Sequence, residues 1–108
     1  MISVYSSMKR ICRAYVRNCR RRNIYWELSI EEFHNLTSQR CHYCGRPPSN
    51  QCRTYTYNGL DRLDNRKGYV LSNVVACCRE CNSIKSNILT AEEMRAIAQT
   101  LIKIRLDR

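Results

Sequence analysis

The chain has 108 residues, with 19 lysines and arginines against 9 aspartates and glutamates, which gives a formal net charge of +10 and a pI near 9.5. This length predicts one small domain, residues 1–108, whose apolar core is marginal on its own. Eight cysteines would suit a secreted disulfide scaffold, but the N-terminus lacks the apolar run of a signal peptide and no segment approaches membrane-span length. We therefore expect a soluble protein of the reducing cytoplasm.

The first predicted element is an amphipathic helix over residues 6–22. Apolar positions recur there at helical spacing and predict an inner face formed by Met8, Ile11, Cys12, Tyr15 and Cys19. The outer face carries seven basic and no acidic residues between Lys9 and Arg22, so it lacks the i,i+4 acidic partners of an ordinary solvated helix. We interpret it as a phosphate-binding stripe, with a merely solvated face as the alternative. The candidate nucleic-acid contacts are Arg10, Arg13, Arg17, Arg20 and Arg21.

This excess of positive charge indicates a polyanionic partner, and nucleic acid is the simplest one. An anionic membrane surface is the rival explanation. It would require a helix with large exposed apolar residues, which the sequence does not predict.

The next segment is predicted to contain one strand, one helix and a loop. Residues 24–27 read as a short strand. Ser29-x-x-Glu32 has the form of a capping box, which opens a helix that extends to about residue 38. Residues 49–58 are polar and are predicted to form a loop.

The second half is predicted to form a hairpin followed by two helices. Strands are expected over residues 60–63 and 70–75, joined by a turn at residues 65–68. A helix follows over residues 79–87. A second capping box, Thr90-x-x-Glu93, opens a terminal helix whose inner positions are Met94, Ile97, Leu101 and Ile104.

Two cysteine pairs, Cys41-His-Tyr-Cys44 and Cys78-Arg-Glu-Cys81, stand 33 residues apart. The C-x-x-C spacing lets two thiolates reach one tetrahedral zinc from a tight turn, and two such pairs together predict a structural zinc site. Cys77 is a competing ligand, but the spacing favours Cys78. Zinc binding would supply stability that the small core lacks.

Three runs resemble the HNH (ββα-metal) endonucleases: Cys-His-Tyr-Cys-Gly at residues 41–45, Gly-Leu-Asp-Arg-Leu-Asp-Asn-Arg-Lys-Gly-Tyr at 59–69, and Asn-Val-Val-Ala-Cys-Cys-Arg-Glu-Cys-Asn-Ser-Ile-Lys at 73–85. More narrowly, they are similar to the zinc-containing branch found in phage and homing endonucleases. The resemblance implies an α+β fold with a zinc-stapled ββα-metal core at residues 41–89. A basic helix and lead-in at 1–40 would precede this core, and a packing helix at 90–108 would follow it.

The resemblance also implies roles for individual residues. Asp61 and Asn82 would hold the catalytic divalent ion, and Asn73 would pin the loop between the two strands by side-chain hydrogen bonds. Arg62 stands where most of the family has a histidine general base. The ligands of the structural zinc would be Cys41, Cys44, Cys78 and Cys81.

Elementary chemistry supports these assignments. Asp61 and Asn82 offer hard oxygen ligands that suit Mg²⁺ or Mn²⁺, which complete their coordination with waters and substrate phosphate. Arg62 stays protonated near neutral pH, so we predict that it clamps the scissile phosphate and does not act as a base. Asp64 is either its ion-pair partner or a base. Lys85 is a further candidate DNA contact.

Other proton acceptors are open at this level. The neighbouring phenols are Tyr55, Tyr57 and Tyr69, and bulk hydroxide is the remaining alternative. His34 falls on the outer face of its helix and His42 lies within the first cysteine turn, so neither is assigned chemistry.

The sequence therefore predicts a metal-dependent DNA endonuclease that hydrolyses phosphodiester bonds by nicking or double-strand cleavage. A phage or homing enzyme is one form of it, acting in the host cell cytoplasm. The alternative is a zinc-stabilised nucleic-acid-binding module that has lost catalysis, with Arg62 as the symptom. We expect no membrane partner. DNA specificity in so small a chain would come from the basic helix, from residues 54–58, from a homodimer or from a partner protein.

Overall fold

The structure is a computed structural model, and it describes residues 1–107. Over this range the chain forms α1 (Val4–Arg22), α2 (Ile30–Thr37), β1 (Asn50–Cys52), β2 (Tyr55–Tyr57), β3 (Gly59–Arg62), a 3₁₀ turn (Leu71–Asn73), β4 (Val74–Cys77), α3 (Arg79–Lys85) and α4 (Ala91–Leu106). Strands β1 and β2 pair antiparallel, and so do β3 and β4. The predicted α+β class is confirmed. None of the helices in this range is long and apolar enough to cross a membrane.

Both predicted capping boxes are present. The Ser29 hydroxyl accepts from the Glu32 backbone N–H while the Glu32 carboxylate accepts from the Ser29 N–H, and Thr90 and Glu93 make the same pair of bonds at α4. Each cap satisfies two backbone donors that the helix leaves unpaired, and a cap of this kind contributes about 1 kcal/mol. The helix starts were readable from sequence for this reason.

Three local predictions were wrong. Residues 49–58 form the β1–β2 hairpin, because the buried Tyr55 anchors it by a hydrogen bond to Thr37 Oγ1 at 2.5 Å. Residues 24–27 make only an isolated parallel bridge between Trp26 and Tyr69. The second strand of the hairpin was predicted over residues 70–75, but β4 begins only at Val74. A 3₁₀ turn precedes it, in which Asn73 N–H donates to Val70 O at 2.9 Å.

The core consists of two clusters of buried side chains. In the first, α1 and α2 pack on β3 through an aromatic group whose ring centroids lie 5.4 to 6.3 Å apart: Tyr15, Trp26, Phe33 and Tyr69. In the second, α4 packs Met94 and Ala98 against four cysteine side chains. The predicted inner position Ile104 is exposed, because α4 extends past the body it packs on.

The loop between β3 and β4 rests on the segment that follows α1. Tyr69 N–H donates to Tyr25 O at 2.8 Å and Glu27 N–H donates to Tyr69 O at 2.9 Å. Gly68 permits this approach, since a Cβ there would collide with the backbone carbonyl of Tyr25. The contact holds the end of α1 beside the β3–β4 hairpin, which places both at one cleft.

Candidate active site and metal sites

A cluster of four cysteines joins the two predicted pairs. The Sγ atoms of Cys41, Cys44, Cys78 and Cys81 all lie within 4.8 Å of one another, and Cys44 Sγ is 3.6 Å from Cys78 Sγ. Tetrahedral zinc with Zn–S bonds of about 2.3 Å holds its sulfurs about 3.8 Å apart, so the cluster fits this ion. Four soft thiolates fill all four positions of a tetrahedral ion and leave none for substrate. This donor set is typical of a structural metal site.

Two backbone features build the cluster. The first pair sits on a tight turn in which Gly45 N–H donates to Cys41 O at 2.9 Å. In the second pair Cys78 is the N-cap of α3, so its thiol and that of Cys81 point to the same side one helical turn apart. All four cysteines except Cys44 are buried.

Cys77 lies beside the cluster without belonging to it. Hydrogen bonds from the Cys77 and Cys81 thiols lower the pKa of Cys41, while the same interactions raise the pKa of Cys77 and Cys81. The four thiols that lie within 4.8 Å of one another do not include that of Cys77, so the four-sulfur set matches the sequence prediction.

A separate open cleft of about 290 Å³ is lined by residues of α1, β3 and α3. It brings together Asp61 and Arg62 from β3 and Asn82 from α3, residues about 20 positions apart in the chain. The remaining lining residues are Tyr15, Asn18, Arg22, Leu60, Asn65, Tyr69, Ser86 and Asn87. One carboxylate and one carboxamide here fit a hard divalent ion that completes its shell with water and phosphate oxygens.

Asp61 is held firmly although it faces the cleft. Its side chain is 6% exposed, Oδ2 accepts from the Tyr43 hydroxyl at 2.6 Å, and Oδ1 lies 3.3 Å from Lys85 Nζ. Burial of a carboxylate requires such partners, because an unpaired buried charge is strongly unfavourable. Burial and hydrogen bonding to Asp61 together raise the pKa of Tyr43, so this phenol stays a donor to the carboxylate.

The prediction that Lys85 contacts DNA was wrong. Its side chain is fully buried, and Nζ donates to Arg62 O at 3.2 Å in addition to pairing with Asp61. A lysine without solvent exposure cannot reach a phosphate in a groove. The sequence pattern placed it correctly on α3 but did not show that this position of the helix faces β3.

Arg62 lines the cleft and also fastens the loop after β3. Nη1 donates to Asn65 O and to Lys67 O, both at 3.0 Å, and the guanidinium carbon lies 5.5 Å from the centre of the Tyr69 ring. Both hydrogen bonds come from one nitrogen. Arg62 is 8% exposed, so a phosphate can reach its planar group only where that group borders the cleft. Asp64 is not its partner: it pairs with Arg66 at 3.1 Å, which lowers the pKa of Asp64.

Asn73 makes the hydrogen bonds expected of it. Its Oδ1 accepts from Asp64 N–H at 2.9 Å, and its Nδ2 donates to Asp64 O at 3.1 Å and to Gly68 O at 3.0 Å. These bonds connect Asn73, just before β4, to both ends of the loop between β3 and β4. Asn73 is buried and acts on the cleft only by holding this loop, so any part that it has in catalysis is indirect.

Helix α1 contributes three cleft residues that the sequence interpretation missed. Tyr15, Asn18 and Arg22 recur at i, i+3 and i+7, so they share one face of the helix. The Tyr15 hydroxyl accepts from Leu60 N–H at 3.0 Å, next to Asp61. The spacing was visible in the sequence, but only the contact of the β3–β4 loop with residues 25–27 shows which face meets the hairpin.

The candidate phenols fall into two groups. Tyr69 lines the cleft, whereas Tyr55 and Tyr57 stack on each other in the β1–β2 hairpin and are not among its lining residues. Burial raises the pKa of Tyr15 and of Tyr69, so the cleft phenols keep their protons near neutral pH.

No histidine is among the residues described as lining the cleft. His34 lies beside Tyr55, with ring centroids 5.8 Å apart and the rings tilted. His42 contacts Arg95 of α4, where burial and the nearby guanidinium lower the pKa of His42.

The five predicted contact residues of the stripe, Arg10, Arg13, Arg17, Arg20 and Arg21, are all exposed. Arg13, Arg17 and Arg20 lie together along a groove with Ile30 of α2, and none of the five lines the cleft. Arg21 donates to Asn18 Oδ1 at 2.7 Å, which ties it to a cleft residue. The phosphate-binding role of the stripe remains a prediction.

Comparison with known proteins gives a relative in sequence and a similar solved structure. No protein-family model matches the chain. Uncharacterized protein R423 of Acanthamoeba polyphaga mimivirus is 36% identical over 80 residues, which are 74% of this chain and 14% of the viral protein. The chain thus matches a small part of that relative's length.

Among solved structures, the chain is similar to the rare-cutting HNH restriction endonuclease PacI, whose mechanism is described as one of DNA perturbation. The TM-score is 0.73 at 24% identity, and the match covers 90% of this chain and 78% of the PacI chain. The HNH endonuclease fold predicted from the three sequence runs is therefore confirmed, with a four-cysteine cluster that fits zinc beside the cleft.

Proposed function

We propose that the chain is a metal-dependent DNA endonuclease of the HNH type that hydrolyses phosphodiester bonds. The observation that carries the proposal is the meeting of Asp61, Arg62 and Asn82 in one open cleft beside the cysteine cluster. Neither a redox protein nor a purely structural protein requires two oxygen ligands, here Asp61 and Asn82, next to a guanidinium in an accessible groove. The net charge of +10 supports DNA as the substrate.

In this proposal the divalent ion is Mg²⁺ or Mn²⁺, held by Asp61 and Asn82. When bound, it supplies charge stabilisation to the scissile phosphate and to the leaving 3′ oxygen. A zinc ion in the four-cysteine cluster has no open position and serves to hold α3 against the turn at residues 41–45. One zinc per chain accounts for all four thiolates.

The side chains of the cleft bind and orient the substrate. The Arg62 guanidinium faces the phosphate from β3, and its N–H groups stabilise the negative charge that grows as the bond breaks. Arg22, exposed at the end of α1, supplies a second cation for an adjoining phosphate. Tyr15 holds the backbone of β3 in place through Leu60 N–H, so the carboxylate of Asp61 keeps its position when DNA enters.

We assign no side chain as general base. Arg62 does not release a proton near neutral pH, and the raised pKa values of Tyr15 and Tyr69 keep both phenols protonated. The proton of the attacking water therefore passes to solvent, to which the cleft is open. This is the largest departure from the histidine-based pattern that the resemblance implies.

A second candidate function is a zinc-stabilised DNA-binding module without catalysis. Two observations favour it: an arginine stands at the place of the histidine base, and Lys85 already neutralises Asp61. Against it, Asp61 and Asn82 are both present and both line the cleft. A degenerate site would be expected to have lost one of them.

The viral relative favours a phage or viral setting, and a homing-type enzyme acting in the reducing cytoplasm of a host cell is our proposal for that setting. None of the eight cysteines forms a disulfide, which suits such a compartment. We propose that a homodimer or a partner protein contributes to the specificity.

The function is tested by incubating the zinc-loaded chain with supercoiled plasmid and Mg²⁺ or Mn²⁺. We expect nicked or linear products with the added ion, and none when Mg²⁺ and Mn²⁺ are both omitted from the zinc-loaded protein. Asn82→Ala is the variant of choice, because Asn82 is exposed and its replacement removes a metal ligand without disturbing the core. Ser83→Ala, on the next exposed position of α3, is the matched control. Equal cleavage by Asn82→Ala and Ser83→Ala would refute the proposed site.

A further inference from the structure

Lys85 is built into the candidate active site as a fixed, buried cation. It lies one helical turn after Asn82 on α3, its side chain has no solvent exposure, and its ammonium is 3.3 Å from Asp61 Oδ1. Burial of a lysine is unfavourable unless its charge is paired and hydrogen-bonded, and both conditions are met here by Asp61 and by Arg62 O.

The ion pair changes what Asp61 offers to an incoming metal. One carboxylate oxygen faces Lys85 and the other accepts from Tyr43, so each oxygen keeps only part of its lone-pair capacity. The charge of Asp61 is offset by that of Lys85. Asp61 is the one carboxylate among the described lining residues of the cleft, whereas Arg22 and Arg62 both line it.

A divalent cation that enters the cleft alone therefore meets three positive side chains and a single carboxylate. The positive electrostatic potential of these side chains weakens binding of the divalent ion. The phosphates of bound DNA supply the negative charge that offsets this potential. The same phosphates are attracted by Arg22 and Arg62 and by the ion itself. Metal and phosphate thus offset each other's unfavourable charge in one cavity.

We propose that the catalytic ion and DNA bind to this cleft cooperatively, and that Lys85 is the positioning residue that makes metal binding dependent on phosphate. The proposal rests on the proposed function only in taking Asp61 and Asn82 as the metal ligands. Binding linkage is reciprocal, so DNA raises the metal affinity by the same factor as the metal raises the DNA affinity. The DNA-free protein would then bind little catalytic metal, and it would take up the metal once DNA is bound.

The first measurement is the affinity of the DNA-free, zinc-loaded chain for Mn²⁺, read from the electron paramagnetic resonance signal of free Mn²⁺. Lys85→Met removes the charge and keeps the length and apolar stem. We expect it to bind Mn²⁺ at least about tenfold more tightly than the wild type, within the usual range of coupling between sites. Asp61→Asn should lose this binding. Unchanged Mn²⁺ affinity in a folded Lys85→Met variant overturns the proposal.

The second measurement needs no variant and decides alone if Lys85→Met fails to fold, as judged by zinc content and circular dichroism. Fluorescence anisotropy gives the affinity of the wild type for a short duplex of mixed sequence with and without Ca²⁺, at constant ionic strength. We expect Ca²⁺ to tighten DNA binding by about tenfold or more. Equal affinities with and without Ca²⁺ overturn the proposal.

The two proposals fail in different ways. If Ca²⁺ strengthens DNA binding through Asp61 but no plasmid is cleaved with Mg²⁺ or Mn²⁺, cooperative binding stands and the nuclease function fails. If plasmid is cleaved but DNA affinity does not respond to Ca²⁺, the nuclease function stands and cooperative binding fails.

Discussion

Two sites of opposite kinds meet at α3. The four-cysteine cluster is closed, mostly buried, and assembled from two turns that each carry a ligand pair. The cleft is open and assembled from α1, β3, the loop after β3 and α3. The difference teaches that a closed site contributes folding free energy, whereas the open site depends on a scaffold that is already folded.

The largest effect should follow from breaking the closed site. Cys81→Ser removes a buried zinc ligand, and a structural zinc contributes about 10 kcal/mol or more, which exceeds the reserve of a small domain. We expect loss of zinc in elemental analysis and loss of helical circular dichroism. Cys52→Ser, outside the cluster, is the matched control and should keep both. Intact helical structure in zinc-free Cys81→Ser would contradict the stabilising role.

Substitutions in the cleft should separate stability from activity. Asp61→Ala leaves the Lys85 ammonium buried without its counter-ion, which should cost about 3–5 kcal/mol of unfolding free energy. Asn82→Ala should cost far less because Asn82 is exposed. Chemical denaturation measures both. We expect both variants to be inactive, so equal stabilities would show that the buried pair with Lys85 contributes little.

Arg62 tests whether the open site depends on charge or on geometry. Arg62→Lys keeps the charge but loses the planar fork and the paired bonds to Asn65 O and Lys67 O, and Arg62→Ala loses all three. We expect cleavage rates to fall in the order wild type, Arg62→Lys, Arg62→Ala. If Arg62→Ala were as active as Arg62→Lys, the charge of residue 62 would not contribute to phosphate binding or to catalysis.

The pH dependence of cleavage tests the absence of a histidine base. Burial and Arg95 lower the pKa of His42, and no histidine is among the described residues that line the cleft. The rate should therefore show no inflection near the ordinary histidine value of about 6.5. A rate that falls as the pH drops through that value, and that no longer does so after replacement of His34 or His42, would contradict this prediction.

The smallest effect is expected on the outer face of α1. Arg13→Gln with Arg17→Gln should lower the slope of log affinity against log salt by about 0.9 for each phosphate that the protein no longer neutralises. Arg21 is left in place because it bonds Asn18 at the cleft. Arg53→Gln with Lys103→Gln is a charge-matched control. Equal slopes in the two double variants would mean that the stripe is merely solvated.

The contrast between the two sites also explains what could be predicted from the sequence. The cysteine cluster was readable from the spacing of its two pairs. The resemblance of two short runs to the HNH endonucleases pointed to Asp61 and Asn82, which the structure brings into one cleft. Lys85 was misassigned as a DNA contact because its burial depends on how α3 packs against β3. No local sequence pattern shows this burial, because an exposed lysine at the same position of a short helix would have the same neighbours in sequence.

The tertiary partners of the cleft were unpredictable for the same reason. Tyr15 and Arg22 line the same cleft as Asp61 although they lie more than 35 positions away in the chain, and the contact that Gly68 allows with Tyr25 helps to bring them there. The β1–β2 hairpin was missed because its anchor, Tyr55 on Thr37, is likewise a tertiary contact. Helix starts were predicted well, since a capping box is complete within four residues.

The seven residues of α3 have a consequence for how the protein matures. A helix this short is not stable in water on its own, and its first turn is held by Cys78 and Cys81 while its last turn carries Lys85. A newly made chain would therefore have no ordered place for Asn82 until zinc arrives. Under the proposed function, the timing of zinc delivery, rather than the abundance of magnesium, would then set the moment at which the cleft is complete.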